Sequence, residues 1–165
     1  MFSELKRKAK QLIRLYKSQQ EAAPQQNQAV SQPEPIPVTL TEIKQKLRTV
    51  FAGCDDFITR EIYTGKTQKQ CLIAYIDNLA NNEILNDNIV KPLLLTEVSE
   101  SLLEQSGSQL IDTLISRVLC NSSLRIKDNW QQTIESIMTG DTIIFIPGSA
   151  KALVAASRGW ESRTV

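Results

Sequence analysis

Leu40, Ile43, Leu47, Val50 and Phe51 return at three- and four-residue spacing within 39-TLTEIKQKLRTVF-51, which places them on one face of a helix. Thr39 and Glu42 have the spacing of a capping box at its start, and Gly53 ends it. The period then falls to two. The stretch 56-DFITREIYT-64 alternates as an edge strand does, whereas 70-QCLIAYI-76 is apolar at nearly every position and belongs inside a sheet; 64-TGKTQ-68 joins them as a hairpin. Helical spacing resumes in 80-ANNEILNDNIVKPLL-94, with Ile84, Leu85, Ile89 and Leu93 as the buried set and Pro92 expected to stop or kink the helix near Lys91. After a loop containing Gly107, 108-SQLIDTLISRVL-119 predicts another helix and 123-SLRIKD-128 a short strand. Asp128 and Gln131 are placed to cap 129-NWQQTIESIMT-139, where Trp130, Ile134, Ile137 and Met138 form one stripe, Trp130 as a core anchor, with Gly140 at C′. A second strand pair, 141-DTIIFI-146 and 151-KALVAAS-157, closes on the turn 147-PGSA-150. The order predicts an α/β fold whose mixed sheet is built from two strand pairs separated by helices.

The beginning of the chain follows neither period cleanly. Residues 1–20 read as a basic arm, with Phe2, Leu5, Leu12, Ile13 and Tyr16 roughly on one side of a short helix. A loosely ordered, solvated arm is the expectation, with contact to a surface or membrane as the alternative. Residues 21–38 are rich in Gln and Pro and poor in large apolar side chains; they have too little to bury to offset their ordering entropy and read as a disordered linker. The α/β domain is expected at 39–165.

Charge sharpens this division. The whole chain of 165 residues has 19 basic and 18 acidic residues, so no global field marks it for nucleic acid. Residues 1–20 nevertheless hold Lys6, Arg7, Lys8, Lys10, Arg14 and Lys17 against Glu4, a net +5, and leave the remainder at −4. No run of eighteen apolar residues marks a membrane span, and no apolar core follows the N-terminal charges as in an export signal. Cys54, Cys71 and Cys120 lack metal-ligand spacing and read as reduced core positions.

Candidate chemistry is sparse. The chain has no histidine, which excludes Ser-His-Asp and Cys-His catalysis and the usual zinc sites. Asp55 and Asp56 are adjacent carboxylates, but if a strand begins at Asp56 their side chains diverge and do not converge on one atom. Asp55 is then a turn or cap residue. Asp56 and Arg60 share a strand face yet stand about 13 Å apart along it, so any pairing of either needs tertiary contacts. The tripeptide 65-GKT-67 lacks the first glycine and the strand-to-helix context of a phosphate loop, and 148-GSAKA-152 lacks a nucleophile elbow's second glycine. Trp160 beside Arg158 and Arg163 offers stacking and charge, but no basic and aromatic stripe in the body extends it into a nucleic-acid surface. No enzyme, cofactor or metal is expected.

Taken together, 53-GCDDFITREI-62, 71-CLIAYIDNLANNEILNDNIVKPLL-94, 140-GDTIIFIPGSAKAL-153 and 158-RGWESR-163 resemble the N-terminal soluble domain of the A subunit of bacterial spore germinant receptors. The blocks lie in order across most of the folded part. The resemblance implies a domain on the cytoplasmic side of the spore inner membrane, followed by a second soluble lobe and transmembrane helices. It also implies a complex with an integral-membrane B subunit and a lipoprotein C subunit, with A-subunit oligomerisation, and a role in nutrient-triggered ion release without catalysis. A small-ligand domain sensing a nutrient directly is the alternative, and it requires Asp55, Asp56, Arg60, Lys91 or Arg158 to converge in a concave site. Asp55, Asp56, Arg60, Glu61, Lys91, Arg158, Trp160 and Arg163 are accordingly expected to serve interfaces or structure, the last three at a junction to the second lobe.

Overall fold

The computed structural model describes residues 11, 13, 14, 33–64, 69–95, 107–118 and 123–159. Helix α1 (Leu40–Val50) starts where the Thr39 hydroxyl accepts the Glu42 N–H at 3.3 Å, and it buries Ile43 and Leu47. Strands β1 (Phe57–Thr64) and β2 (Lys69–Ile76) pair antiparallel. Helix α2 (Asn82–Leu85), capped by the Asn81 side chain, runs through a π-helical stretch Asn86–Val90 into α3 (Lys91–Leu95). Helix α4 (Gly107–Thr113) likewise passes into a π-helical stretch, Leu114–Val118. Strand β3 (Leu124–Lys127), helix α5 (Trp130–Met138) and strands β4 (Thr142–Phe145) and β5 (Ala152–Ala155) complete the order.

The five strands form one sheet in the order β1-β2-β4-β5-β3, covered on both faces. Alternation sorts the side chains. Leu72, Ala74, Ile143, Phe145 and Val154 meet Ile43 and Leu47 of α1 and Trp130, Ile134 and Ile137 of α5 on one face. Cys71, Ile73, Tyr75, Ile144 and Leu153 meet Leu85, Ile89, Leu93, Leu110 and Leu114 on the other. Burial on both faces is why the central strands are apolar at consecutive positions. The α/β class and the two strand pairs separated by helices are as the sequence predicts, and β1 lies at an edge with β2 inside.

Four expectations are corrected. Every pairing is antiparallel, so the sheet is not mixed. The crossover through α5 does return β4 in the direction of β3, but β5 folds back between them and pairs with both. Pro92 does not end its helix. The change from π to α hydrogen bonding at Lys91 places it in the first turn of α3, where a proline's missing N–H is tolerated. The cap of α5 is Asn129, not Asp128: the Asn129 side chain accepts the Gln132 N–H at 2.9 Å, and a bridge to Pro35 holds its backbone extended. Gly107 opens α4 instead of lying in the preceding loop.

The bridge to Pro35 also shows that 33–38 belong to the folded body. Ile36 is buried in the core beneath α1 and α5, the Glu34 carbonyl accepts the Trp130 N–H at 2.8 Å, and the Val38 carbonyl accepts the Gly148 N–H at 2.8 Å. Pro33, Pro35 and Pro37 favour an extended backbone in this segment, so one isoleucine is enough to anchor it. Of the arm, Gln11, Ile13 and Arg14 are described and helical, and Ile13 packs half-buried against the same core. The remainder of the arm, the linker up to residue 32, Cys120 and the 65–68 turn lie outside the described residues.

Candidate functional site

The densest polar arrangement lies at one end of the sheet, where α5 stops. The Gly140 N–H bonds the Ile137 carbonyl at 3.0 Å and the Asp141 N–H bonds the Ser136 carbonyl at 3.0 Å, with Gly140 at φ +94°. This pair of bonds is the Schellman termination, and its left-handed residue is glycine because a Cβ is strained there. It fixes Asp141 at the head of β4, on the same face as Ile143 and Phe145, completely buried.

A buried carboxylate needs paired charge or donors. Asp141 has two guanidinium groups. Arg158 Nε donates to Oδ1 at 2.7 Å and its Nη2 to Oδ2 at 2.9 Å, while Arg125 Nη2 of β3 donates to Oδ2 at 2.8 Å. The forked contact matches the planar guanidinium to both carboxylate oxygens, the strong geometry for such a pair. Arg158 is mostly covered, whereas Arg125 is 53% exposed.

Hydroxyls and backbone extend the arrangement. The Ser157 hydroxyl donates to the Gly140 carbonyl at 3.3 Å, which leaves the Thr142 hydroxyl to donate to Ser157 Oγ across 2.7 Å. The Asn81 N–H reaches the Ser157 carbonyl at 2.6 Å and the Gly159 N–H reaches the Leu79 carbonyl at 3.0 Å. Residues 157–159 are thereby fastened to the turn after β2 and to the end of α5. This arrangement holds backbone segments in place. It presents no nucleophile beside a base, and among the described residues no group of His, Cys, Asp or Glu side chains is arranged to hold a metal ion.

The residues singled out from the sequence scatter over the molecule. Asp55 is exposed in the turn before β1, and Asp56, half-buried, accepts the Asp77 N–H on its carbonyl at 2.9 Å. Arg60 and Glu61 point to opposite faces of β1. Arg60 lies 5.6 Å from the centroid of the Tyr75 ring, and Glu61 accepts from Lys44 of α1 and from Gln70 of β2. Lys91 pairs with Asp87 one helical turn away at 2.6 Å, with both side chains exposed. Trp160 and Arg163 lie outside the described residues. Of the set, Arg158 alone enters the buried cluster. Asp141 and Arg125 are the residues sequence reasoning missed; the signal was an aspartate two residues ahead of the inward Ile143, at the parity of the core.

Two clefts lie beside α1. One of 490 Å³ runs along Thr41, Lys44, Gln45, Arg48 and Thr49; the other, of 430 Å³, lies between α1 and β1 and is lined by Lys44, Arg48, Phe57, Thr59 and Glu61. The Tyr75 hydroxyl is buried on the other face and has no hydrogen-bond partner among the described residues. Burial pushes its pKa up, opposed by Arg60 and reinforced by Asp77.

Comparison with known proteins places this geometry in context. The family described as Bacillus/Clostridium GerA spore germination protein matches residues 45–165. Spore germination protein GerLA of Bacillus cereus is 24% identical over 126 residues, 76% of this chain and 24% of its own length. Spore germination protein KA of Bacillus subtilis (strain 168) is 24% identical over 111 residues, 67% of this chain and 19% of its own length. The chain thus spans about a quarter or less of the length of these curated relatives. The fold is that of the N-terminal domain of the A subunit of the Bacillus megaterium spore germinant receptor GerK3, with a TM-score of 0.63 at 19% identity, over 78% of this chain and 50% of that one.

Proposed function

The chain belongs to the Bacillus/Clostridium GerA spore germination protein family, and we propose that its folded part is a non-enzymatic module of a germinant receptor A subunit that supports signalling for ion release through subunit contacts. The observation that carries this reading is where the charged side chains go. Glu61 lines the 430 Å³ cleft but is engaged there by Lys44 and by Gln70, Lys91 is engaged by Asp87, and Arg158 by a buried carboxylate, so these groups brace elements against one another and do not converge on one shared cavity. A direct nutrient site needs the opposite, a concave pocket with polar groups aimed into it.

In this reading residues 39–165, with 33–38 docked on them, are the first lobe of a larger region on the cytoplasmic side of the spore inner membrane. An integral-membrane B subunit, a lipoprotein C subunit and other A subunits are its partners. Arg158 and the residues after it form the junction to a second lobe, whose direction is set by the bonds from 157–159 to Leu79, Asn81 and Gly140. Among the described residues no helix is long and apolar enough to cross a membrane, so in this reading the membrane contacts belong to other segments.

The test separates transmission from sensing. Calorimetric titration of residues 1–165 with amino acids and sugars is expected to show no binding. Spores carrying Arg60→Glu in the full-length subunit are expected to release ions poorly on nutrient addition at unchanged receptor levels. Specific, saturable nutrient binding by the isolated chain, abolished by Arg60→Glu, would overturn the reading in favour of a ligand-sensing domain.

A further inference from the structure

Strand β1 is the outermost strand on its side of the sheet, and eight residues long. The Asp77 N–H donates to the Asp56 carbonyl at 2.9 Å, so these two residues face each other as a hydrogen-bonded pair. Antiparallel alternation then turns the peptide groups of Ile58, Arg60 and Ile62 towards β2 and those of Thr59, Glu61 and Tyr63 outward. The Phe57 N–H, which also faces away from β2, is taken by the Cys54 carbonyl at 3.1 Å. No described strand pairs with this outer edge.

The edge forms one wall of the 430 Å³ cleft beneath α1. Within that cleft Lys44 is paired with Glu61, but Arg48 is exposed and makes no hydrogen bond or ion pair among the described residues. On the opposite face of the same strand Arg60 is exposed, and among the described residues its charge is met only by the Tyr75 ring. Among the described residues, each face of the edge therefore carries one guanidinium without a carboxylate.

We propose that the outer edge of β1 and the cleft beside it dock an extended, acidic segment of a partner protein, which adds to the sheet as a sixth strand. The side chains of an added strand alternate between the two faces. Carboxylates on one set meet Arg48 and on the other set Arg60, while backbone bonds form to Thr59, Glu61 and Tyr63. Charge excludes the nearer candidates. The chain's own first 20 residues carry a net +5, which the two arginines repel. A second copy pairing antiparallel about the middle of β1 sets Arg60 against Arg60 or Glu61 against Glu61, and like charges directly opposite disfavour the pair. This inference rests on the subunit-contact reading and deepens it by naming the surface and the chemistry of the partner.

The probe is an acetylated octapeptide made of two Glu-Glu-Val-Val repeats, which places Glu on both faces of a strand, titrated into isotope-labelled residues 1–165 and followed by amide resonances and hydrogen exchange. Exchange at Thr59, Glu61 and Tyr63 is expected to slow at least tenfold on binding. Arg48→Glu is expected to weaken binding at least tenfold, as is N-methylation of the peptide nitrogens that face β1. Equal binding of a Lys and Val peptide, undiminished binding of the N-methylated one, or no effect at β1 overturns the proposal. So does concentration-dependent protection of the same amides without peptide, which assigns the edge to a second copy. The two readings fail separately: absence of peptide binding removes this edge and leaves assembly through another surface, whereas nutrient binding to the isolated chain removes the assembly reading whatever the peptide does.

Discussion

Arg158 grips the buried carboxylate of Asp141 with two nitrogens, Nε on Oδ1 at 2.7 Å and Nη2 on Oδ2 at 2.9 Å. The two residues are seventeen apart in sequence, one at the end of α5 and the other just past β5. Their pairing ties the last described segment to the helix layer across the sheet end. Arg125 adds a third arm from the edge strand β3.

Removing Asp141 takes the buried carboxylate away from both arginines. Asp141→Ala is expected to cost about 3–5 kcal/mol, as for a buried pair broken on one side. Arg158→Ala should cost less, because Arg125 still neutralises the carboxylate, and the half-exposed Arg125→Ala less than about 1 kcal/mol. Urea unfolding of the three variants checks the order. The pair Arg125 and Arg158 should be non-additive by about 0.5–3 kcal/mol in a double-mutant cycle, because the two share one oxygen.

The segment before α1 matters as much as the helix itself. Ile36→Ala is expected to destabilise the domain by about 2–5 kcal/mol, the usual cost of emptying a core isoleucine site. A chain beginning at residue 39 should lose this and the bonds at Glu34 and Val38, whereas Glu34→Ala alone removes only an exposed pair with Lys46 and should stay within about 1 kcal/mol. Equal urea midpoints for the full chain and the shortened one would show that 33–38 contribute nothing.

What the sequence made legible was what local period carries. β2 could be placed inside the sheet because it is apolar on both parities, and β1 at the edge because it alternates. The docking of 33–38 was not legible, since a single isoleucine between prolines has no period. Nor was the Asp141 cluster, because its partners come from β3 and from beyond β5 and only tertiary folding joins them. Local density pulled attention instead to Asp55, Asp56, Arg60 and Glu61, whose side chains a strand must send in different directions. The antiparallel sheet turns on β5, which folds back from β4 and inserts between β4 and β3, the strands that the α5 crossover left running the same way.

Gly107 packs where α4 meets the β4–β5 turn. A Cβ there would lie 2.6 Å from the Gly148 carbonyl carbon and from the Ser149 nitrogen, both backbone atoms that cannot rotate away. Gly107→Ala is therefore expected to destabilise by about 1–3 kcal/mol through forced separation of the helix from the turn. The gain of about 1 kcal/mol that alanine brings to a helix interior offsets only part of this. A Gly107→Ala variant with a raised urea midpoint would show that the helix shifts without cost.

Tyr75 gives the domain a pH signature of its own. Its hydroxyl is buried without a hydrogen-bond partner among the described residues, and burial raises its pKa above the ordinary 10.0, with Arg60 opposing and Asp77 reinforcing. A raised folded-state pKa means that the folded protein holds this proton more tightly than the unfolded chain does. The associated stability is present in full below the unfolded value and is lost as pH rises above it through the folded pKa. Replacing the residue by phenylalanine removes both the titration and the unpaired hydroxyl, whose burial costs about 1–3 kcal/mol. Tyr75→Phe is therefore expected to be as stable as the parent or more so at pH 8, and its advantage should widen from about pH 10 upward. Urea unfolding of both proteins from pH 8 to pH 11 measures the difference and cancels the lysines and other tyrosines common to the two. A constant difference across that range would mean that Tyr75 ionises as readily folded as unfolded, and a large loss of stability at pH 8 would mean that its hydroxyl is bonded after all.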